Sequence, residues 1–599
     1  MIDPIGTFYD LKQDIIRYVR TAFGTRFPSI ESERAGRLET NGILSQEPWL
    51  EPLPVYMSSN KKIDDLSEAD LPSMDEEGRN LFKGLVGCGL FKNSYPLYQH
   101  QFEMLRNSLS GEKCVITAGT GSGKTEAFLL PLFAQIAMEI RSWTKPNAPP
   151  AHINDWWKDE NWQQSCKQAK ISSRVPQRAH ETRPAAVRGL ILYPMNALVE
   201  DQLTRLRKSL DSDEVREWLS KFASGNKVYL GRYNGRTPVP GHELLKAKKG
   251  DKRAANQDKI ERLITALKEV ELSSDRAINY ASDPSNADPN KEEARYFFPT
   301  LDGAEMRSRW DMQDSPPDIL ITNFSMLSIM LMREADVGIL ENTRNWLECI
   351  DVPEADRPFE KKNRIFHLIV DELHLYRGTS GAEVAYLIRL LLLRLGLSPE
   401  HPQLRILASS ASLEAGDPDS EGFLTDFFGT KLRIIEGRQE VIPRGATDDN
   451  PLLKEPYVYV AKNVGSLPQK RDEVMCEAHR LITGNSTTSH TDFLKLIDTP
   501  EIRNFVLSAF MHDGKMSAIS YSSFTEKLFG ANSAECSDAS RGFLIARGLF
   551  DLCKVDTKLP AFRVHYFFKN IDGLWASTGR LAHSMDDRPI GDLSRYSSS

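Results

Sequence analysis

Cys114-Val-Ile-Thr-Ala-Gly-Thr-Gly-Ser-Gly-Lys-Thr-Glu126 is the stretch that decides the fold. Cys114 to Thr117 is short and mostly apolar, as a strand buried on both faces should be. Glycine then recurs at Gly119, Gly121 and Gly123, and residues 126–140 follow with helical length and apolar character. Ala118 to Thr125 fits the pattern of a phosphate-cradling P-loop. Its glycines let backbone N–H groups turn inward around phosphates, and the helix aims its positive N-terminus at them. In that pattern Lys124 reaches the β- and γ-phosphates of ATP and Thr125 sets its hydroxyl on Mg²⁺. Gly119, Thr120, Gly121, Ser122, Gly123 and Glu126 complete the expected nucleotide-binding run.

Outward from this loop, apolar runs at 190–193, 319–322, 366–370 and 406–409 alternate with longer helical patterns. That alternation predicts an α/β fold, a parallel sheet flanked by helices. The run Phe366-His-Leu-Ile-Val ends in Asp371-Glu-Leu-His374. A strand end points both carboxylates at the edge of the sheet where ligands bind. Asp371 is then a second Mg²⁺ ligand beside Thr125, and Glu372 is placed to orient and deprotonate a water. A P-loop does not by itself choose among kinases, GTPases, transporters and motors; the acidic pair narrows the choice. Lys124, Asp371, Glu372 and His374 are the candidate catalytic residues.

Composition bounds the rest. The 599 residues are too many for one core. They are 40% hydrophobic and 27% charged, with a net charge of −7 that neither favours nor excludes a polyanion. No apolar run is long enough to span a membrane, and the N-terminus does not read as a secretory signal. Seven scattered cysteines without a C-x-x-C pair argue against a disulfide framework or a zinc ribbon. A cytoplasmic protein without a membrane partner is expected.

Three regions are expected: a helical N-terminal extension over 1–80, the ATP-binding lobe over 81–435, and a mostly helical accessory region over 436–599. A helix is predicted over 8–23, and others over 469–483, 491–512, 521–529 and 538–550, with a strand over 561–568. Two insertions, 143–184 and 236–316, interrupt the lobe. The first, with Trp143, Trp156, Trp157 and Trp162, reads as a polar surface loop rather than a base-stacking platform. Residues 243–262 read as a solvated charged helix rather than a phosphate contact. Arg307, Arg309 and Trp310 either line a strand path or pack.

Asp371-Glu-Leu-His374 resembles the DExH box of superfamily 2 helicases, and further motifs follow in that family's order over about 95–412. The resemblance implies a RecA-like P-loop NTPase fold. In Tyr95-Pro-Leu-Tyr-Gln-His-Gln101 it gives Gln101 the adenine edge and puts Tyr98 near the base. In the stretch beginning Leu192-Tyr-Pro194-Met-Asn196, and in Pro317-Asp-Ile-Leu-Ile-Thr322-Asn323, it implies that Pro194, Asn196, Thr322 and Asn323 contact a nucleic-acid strand. Ser410 and Ser412 of Ala408-Ser-Ser-Ala-Ser412 would couple the ATP site to movement between lobes, as would His374. The phrases PMNALVEDQ, PPDILITNFSML, DELHLYRGTSGAEV and LPAFRVHYFFKNIDGLWAS, with the opening DPIGTFYDLKQDIIRYV, resemble large bacterial DExH helicases with a C-terminal zinc-bearing module. The DISARM and Druantia anti-phage helicases are of this kind, which implies DNA as substrate and a role in genome defence or repair.

Such motors carry a second RecA-like lobe with a Q-x-x-G-R-x-G-R element, and the resemblance implies that residues 436–599 are a helical, winged-helix-like insertion between the two lobes. After residue 435 the text holds only the isolated pairs Gly437–Arg438 and Gly579–Arg580. The expectation is a first lobe whose missing half lies on another polypeptide or a longer chain. The residues leave two other readings open: an ATP-gated clamp with little turnover, and a P-loop NTPase that does not act on nucleic acid.

Overall fold

The computed structural model describes residues 3–24, 26–92, 95–119, 121–194, 196–245, 254–286, 288, 290–376, 378–439, 452–489, 491–512, 515–569, 574–576 and 590–592. These fall into two compact units, Tyr56–Arg438 and Met1–Val55 with Gln439–Ser599.

The larger unit is built on one parallel sheet. In chain order, helix α1 (Gln99–Leu109) precedes β1 (Cys114–Thr117) and α2 (Lys124–Ile140). Then come β2 (Gly189–Tyr193), α3 (Asn196–Leu210), β3 (Leu230–Tyr233), β4 (Ile319–Asn323), α4 (Phe324–Met332), β5 (Phe366–Val370), α5 (Gly378–Leu395), β6 (Leu404–Ser410) and β7 (Arg433–Glu436). The strands lie in the order β3-β4-β2-β5-β6-β1-β7, all parallel. This is the expected α/β sheet flanked by helices. Two of its strands, β3 and β7, carry no clear apolar run in the sequence: Arg232 sits in one, and the other is two isoleucines between Arg433 and Glu436. The sheet separates two cores. One holds Ile116, Ile191 and Ile369 with the apolar helix α2; the other holds Val115, Leu192 and Val370 with α5. Both faces are buried, which is why the strand sequences are continuously apolar rather than alternating.

The unit begins earlier than the expected boundary near residue 80. Helix Glu76–Cys88 turns Phe82, Leu85 and Val86 into the α2 core, joined by Leu66, Leu71 and Met74. The insertions are also better packed than expected. Trp156 and Trp157 are fully buried in a subsidiary core with Val175, Ile260, Leu263, Leu267 and Trp310. Residues 143–184 are therefore neither a loose loop nor a stacking platform: each insertion supplies the apolar surface the other lacks. Trp143 lies in the main core under the Arg183 guanidinium. Arg307 and Arg309 are buried as well; Arg307 donates to the Leu301 and Ile153 carbonyls and stacks over Trp157. Packing, not a strand path, is their role. Of residues 243–262, 246–253 lie outside the described residues; Glu243 grips the buried Arg174, and a long helix starts at Gln257. Arg183 and Arg188 both pair with Asp318 at the entry to β4, 2.7 and 2.9 Å away. Burial works against that charge, but the two guanidinium groups hold the carboxyl well below its usual range.

In the smaller unit, helices from Lys454–Lys462 to Ala534–Cys553 enclose a core that includes Ile5 and Leu50. Strand Trp49–Pro52 lies antiparallel between Ile519–Ser520 and Phe562–His565. The predicted helix over 491–512 is two, Thr491–Ile497 and Pro500–Ser508, because Pro500 cannot continue a helix but can start one. No described helix is long and apolar enough to cross a membrane.

Candidate active site

The sheet register aligns the strand ends that carry the site. Thr117 at the end of β1 lies beside Ser410 of β6, and Val370 at the end of β5 lies beside Ala408 of the same strand. The phosphate-loop pattern and the acidic pair thus leave one edge, in the crevice where doubly wound sheets bind ligands. Lys124, first residue of α2 and buried, sets its ammonium 3.2 Å from the Ala118 carbonyl and 3.6 Å from Glu372 Oε1.

The loop is held from below. Gly121 and Gly123 have φ of +81° and +70°, left-handed values that favour glycine. A Cβ on Gly123 would lie 2.3 Å from Gln101 Nε2. Gln101 uses both ends of its amide: Nε2 donates to the Gly123 carbonyl (3.0 Å) and Oε1 accepts from the Tyr98 N–H (3.0 Å). His100 Nε2 lies 2.7 Å from the Ser122 carbonyl, and burial pushes this imidazole below its ordinary pKa, so it donates as the neutral ring. Tyr56 accepts the Gly119 N–H at 3.0 Å. Tyr98, half-buried, stacks on His100. Ser122 donates to the Gly119 carbonyl. Thr120 lies outside the described residues. The sequence gives no periodic signal for Tyr56 or His100; only the fold brings them under the loop.

On the acidic side, Glu372 has φ +50°, a left-handed value that costs a non-glycine residue on the order of 1–3 kcal/mol. Its N–H is held by Asp371 Oδ1 (3.0 Å) and Ser409 Oγ (3.1 Å). Ser409 in turn donates to Asp371. Ser409 thus organises the carboxylates. Ser410, expected to couple the site, is buried, and Ser412 reaches it through a backbone N–H at 3.4 Å. His374 Nδ1 stands 3.3 Å from Glu372 Oε2.

Burial and the neighbouring Glu372 push Asp371 above the usual carboxylate range, against Ser409 and Lys124. Next to it the fully buried Tyr193 hydroxyl has no hydrogen-bond partner among the described residues. An orphaned donor beside an undercompensated pair of carboxylates is an environment that a hydrated divalent cation satisfies. The Thr125 hydroxyl accepts from Gln202 at 3.2 Å, and Glu126 pairs with Arg205 at 2.8 Å, tying the phosphate loop to α3.

The expected strand contacts fare differently. Thr322, expected to contact a nucleic-acid strand, is fully buried and donates to the Tyr233 carbonyl at 2.7 Å, so its hydroxyl is engaged within the sheet. Asn323 caps α4 by accepting the Met326 N–H. Pro194 is partly exposed at the end of β2; Asn196 opens α3, its side chain outside the described residues.

Residues 98–229 match the DEAD/DEAH box helicase family, a stretch that includes the phosphate loop and ends before Asp371. Over that stretch the chain is similar to DEAD/DEAH box helicases. Over 612 aligned residues the chain is 28% identical to Druantia protein DruE of Escherichia coli (strain UMEA 4076-1), covering 95% of this chain and 30% of that protein. It therefore spans under a third of that relative's length. A crystal structure of the DUF1998 helicase MrfA bound to DNA aligns with a TM-score of 0.31 at 16% identity, covering 65% of this chain and 30% of that one. The DEAD-box helicase Mss116 bound to ssRNA and UDP-BeF aligns at 0.30 and 12%, covering 69% and 54%. At these scores the overall superpositions are loose.

Proposed function

We propose that this chain is the ATP-binding lobe of a nucleic-acid motor, hydrolysing ATP at the sheet edge and drawing on a single strand, DNA in preference to RNA. The observation that carries this reading is the approach of Lys124 to Glu372, which joins the phosphate loop to the acidic pair. The loop N–H groups bind the phosphates, and Lys124 exchanges Glu372 for phosphate oxygens. Glu372, freed from the lysine, orients a water for in-line attack on the γ-phosphorus and takes its proton as the bond to the β-phosphate oxygen breaks. Thr125 and Asp371 would hold Mg²⁺, which neutralises charge on the phosphates. Likeness to the Druantia protein supports a role in bacterial genome defence.

One observation favours a slow or clamp-like motor when the chain is alone. Among the described residues neither Asp371 nor Glu372 pairs with an arginine. An arginine finger is worth about 10³–10⁵ in rate, so a second lobe, on a longer chain or a partner polypeptide, is needed for full turnover. The test is ATP hydrolysis with and without single-stranded DNA. Stimulation by the strand that disappears in Lys124→Ala supports the motor; strand-independent hydrolysis refutes it.

A further inference from the structure

The three-stranded sheet of the smaller unit presents side chains that neither its core nor the phosphate site uses. Along 562–568 alternate side chains go to opposite faces. Val564 packs on the helical core, and Tyr566 and Phe568 lie against Phe8. Arg563, His565 and Phe567 therefore turn the other way. The register sets Trp49 opposite His565 and Glu51 opposite Arg563, so all five share one face. Trp49 is 39% and Phe567 45% exposed, and the His565 and Phe567 rings are nearly parallel at 17°. Trp49, Glu51, His565 and Phe567, with Pro52 and Gln439, line a cavity of about 360 Å³, the size range of small-ligand sites.

Glu51 is the polar group in it. Arg563 and His565 both reach its Oε2, at 3.3 and 2.9 Å, and Oε1 has no partner among the described residues. A carboxylate anchored by one oxygen and open at the other, among flat exposed rings, accepts from the amino group of a planar base.

We propose that this face is a base-stacking site for single-stranded nucleic acid, selecting amino-bearing bases through Glu51. Rings stack any base, and Glu51 adds the choice: it accepts from an exocyclic amine such as cytosine N4. Thymine flanks its one N–H with two carbonyl oxygens, which a carboxylate repels. A duplex hides its base faces and is excluded.

The test uses the full chain without ATP and fluorescence anisotropy with oligodeoxycytidine, oligothymidine and a duplex of about twelve units. Oligodeoxycytidine is expected to bind roughly tenfold tighter than oligothymidine. Trp49→Ala with Phe567→Ala weakens both by about five- to a hundredfold. Glu51→Gln collapses the ratio towards one while oligothymidine binding persists. An unchanged circular-dichroism spectrum and unchanged thermal unfolding in each variant show that the smaller unit has folded. Equal binding of the two oligonucleotides by the unaltered chain overturns the proposal, as does unchanged affinity in the ring variant or equal binding of duplex. Backbone contacts elsewhere do not read base identity, the Glu51 variant ties the ratio to this face, and its failure leaves the ATP reading untouched.

Discussion

Glu372→Gln separates two roles that the geometry gives one carboxylate. In the free chain Glu372 holds Lys124 at 3.6 Å, and at an effective dielectric near 20 that attraction is roughly 4–5 kcal/mol before desolvation is counted. Phosphates must displace it. Glutamine removes the competing charge and keeps the shape, so ATP should bind as tightly or tighter, by up to about tenfold if a third of that attraction is recovered. Hydrolysis should move the other way, falling about 10²–10⁴-fold with loss of the general base. The assays are titration with a fluorescent ATP analogue and single-turnover phosphate release. Affinity that falls together with hydrolysis, or hydrolysis that survives, refutes the assignment.

Three other outcomes follow from contacts elsewhere. Tyr56→Phe frees the Gly119 N–H, and ATP affinity should drop about three- to tenfold by the worth of one hydrogen bond, read by the same titration. Trp157→Ala opens the insertion core at a cost of about 3–5 kcal/mol; amide exchange should quicken in both insertions and not in the central strands. His367 in β5 is fully buried, and burial, with Arg405 adding, pushes its pKa down to about 3. The folded imidazole stays neutral while the unfolded one gains a proton below about 6.5, so its contribution is present above that pH and is lost as pH falls towards 3. At pH 5 the loss is about 2 kcal/mol; His367→Phe should lessen the urea-stability drop between pH 7 and pH 5 by that amount, and an unchanged drop would count against it.

Of the site, the phosphate loop, Asp371 and Glu372 were legible because each chemistry is written in consecutive residues beside a strand. The carboxylates' hydroxyl partner was not: whether Ser409 or Ser410 faces them depends on strand parity, which five parallel pairings with β5 fix. Gln101 was read as reaching a base, yet in the free chain it clamps Gly123, since the loop carbonyl is its nearest acceptor. Thr322 shows a related effect. A hydroxyl at a strand end looks available until the neighbouring strand offers it the Tyr233 carbonyl.

Local pattern alone determined the parallel α/β sheet, five of its seven strands and the order of the motifs, because strand length, helical period and glycine spacing are properties of contiguous residues. Tertiary structure decided what depends on partners far along the chain. It buried the insertion tryptophans, moved a boundary from about residue 80 to 55, and joined strand Trp49–Pro52 to Phe562–His565 across more than five hundred residues. Apolar surface is buried against whichever element folds beside it, and no local spacing records which element that is.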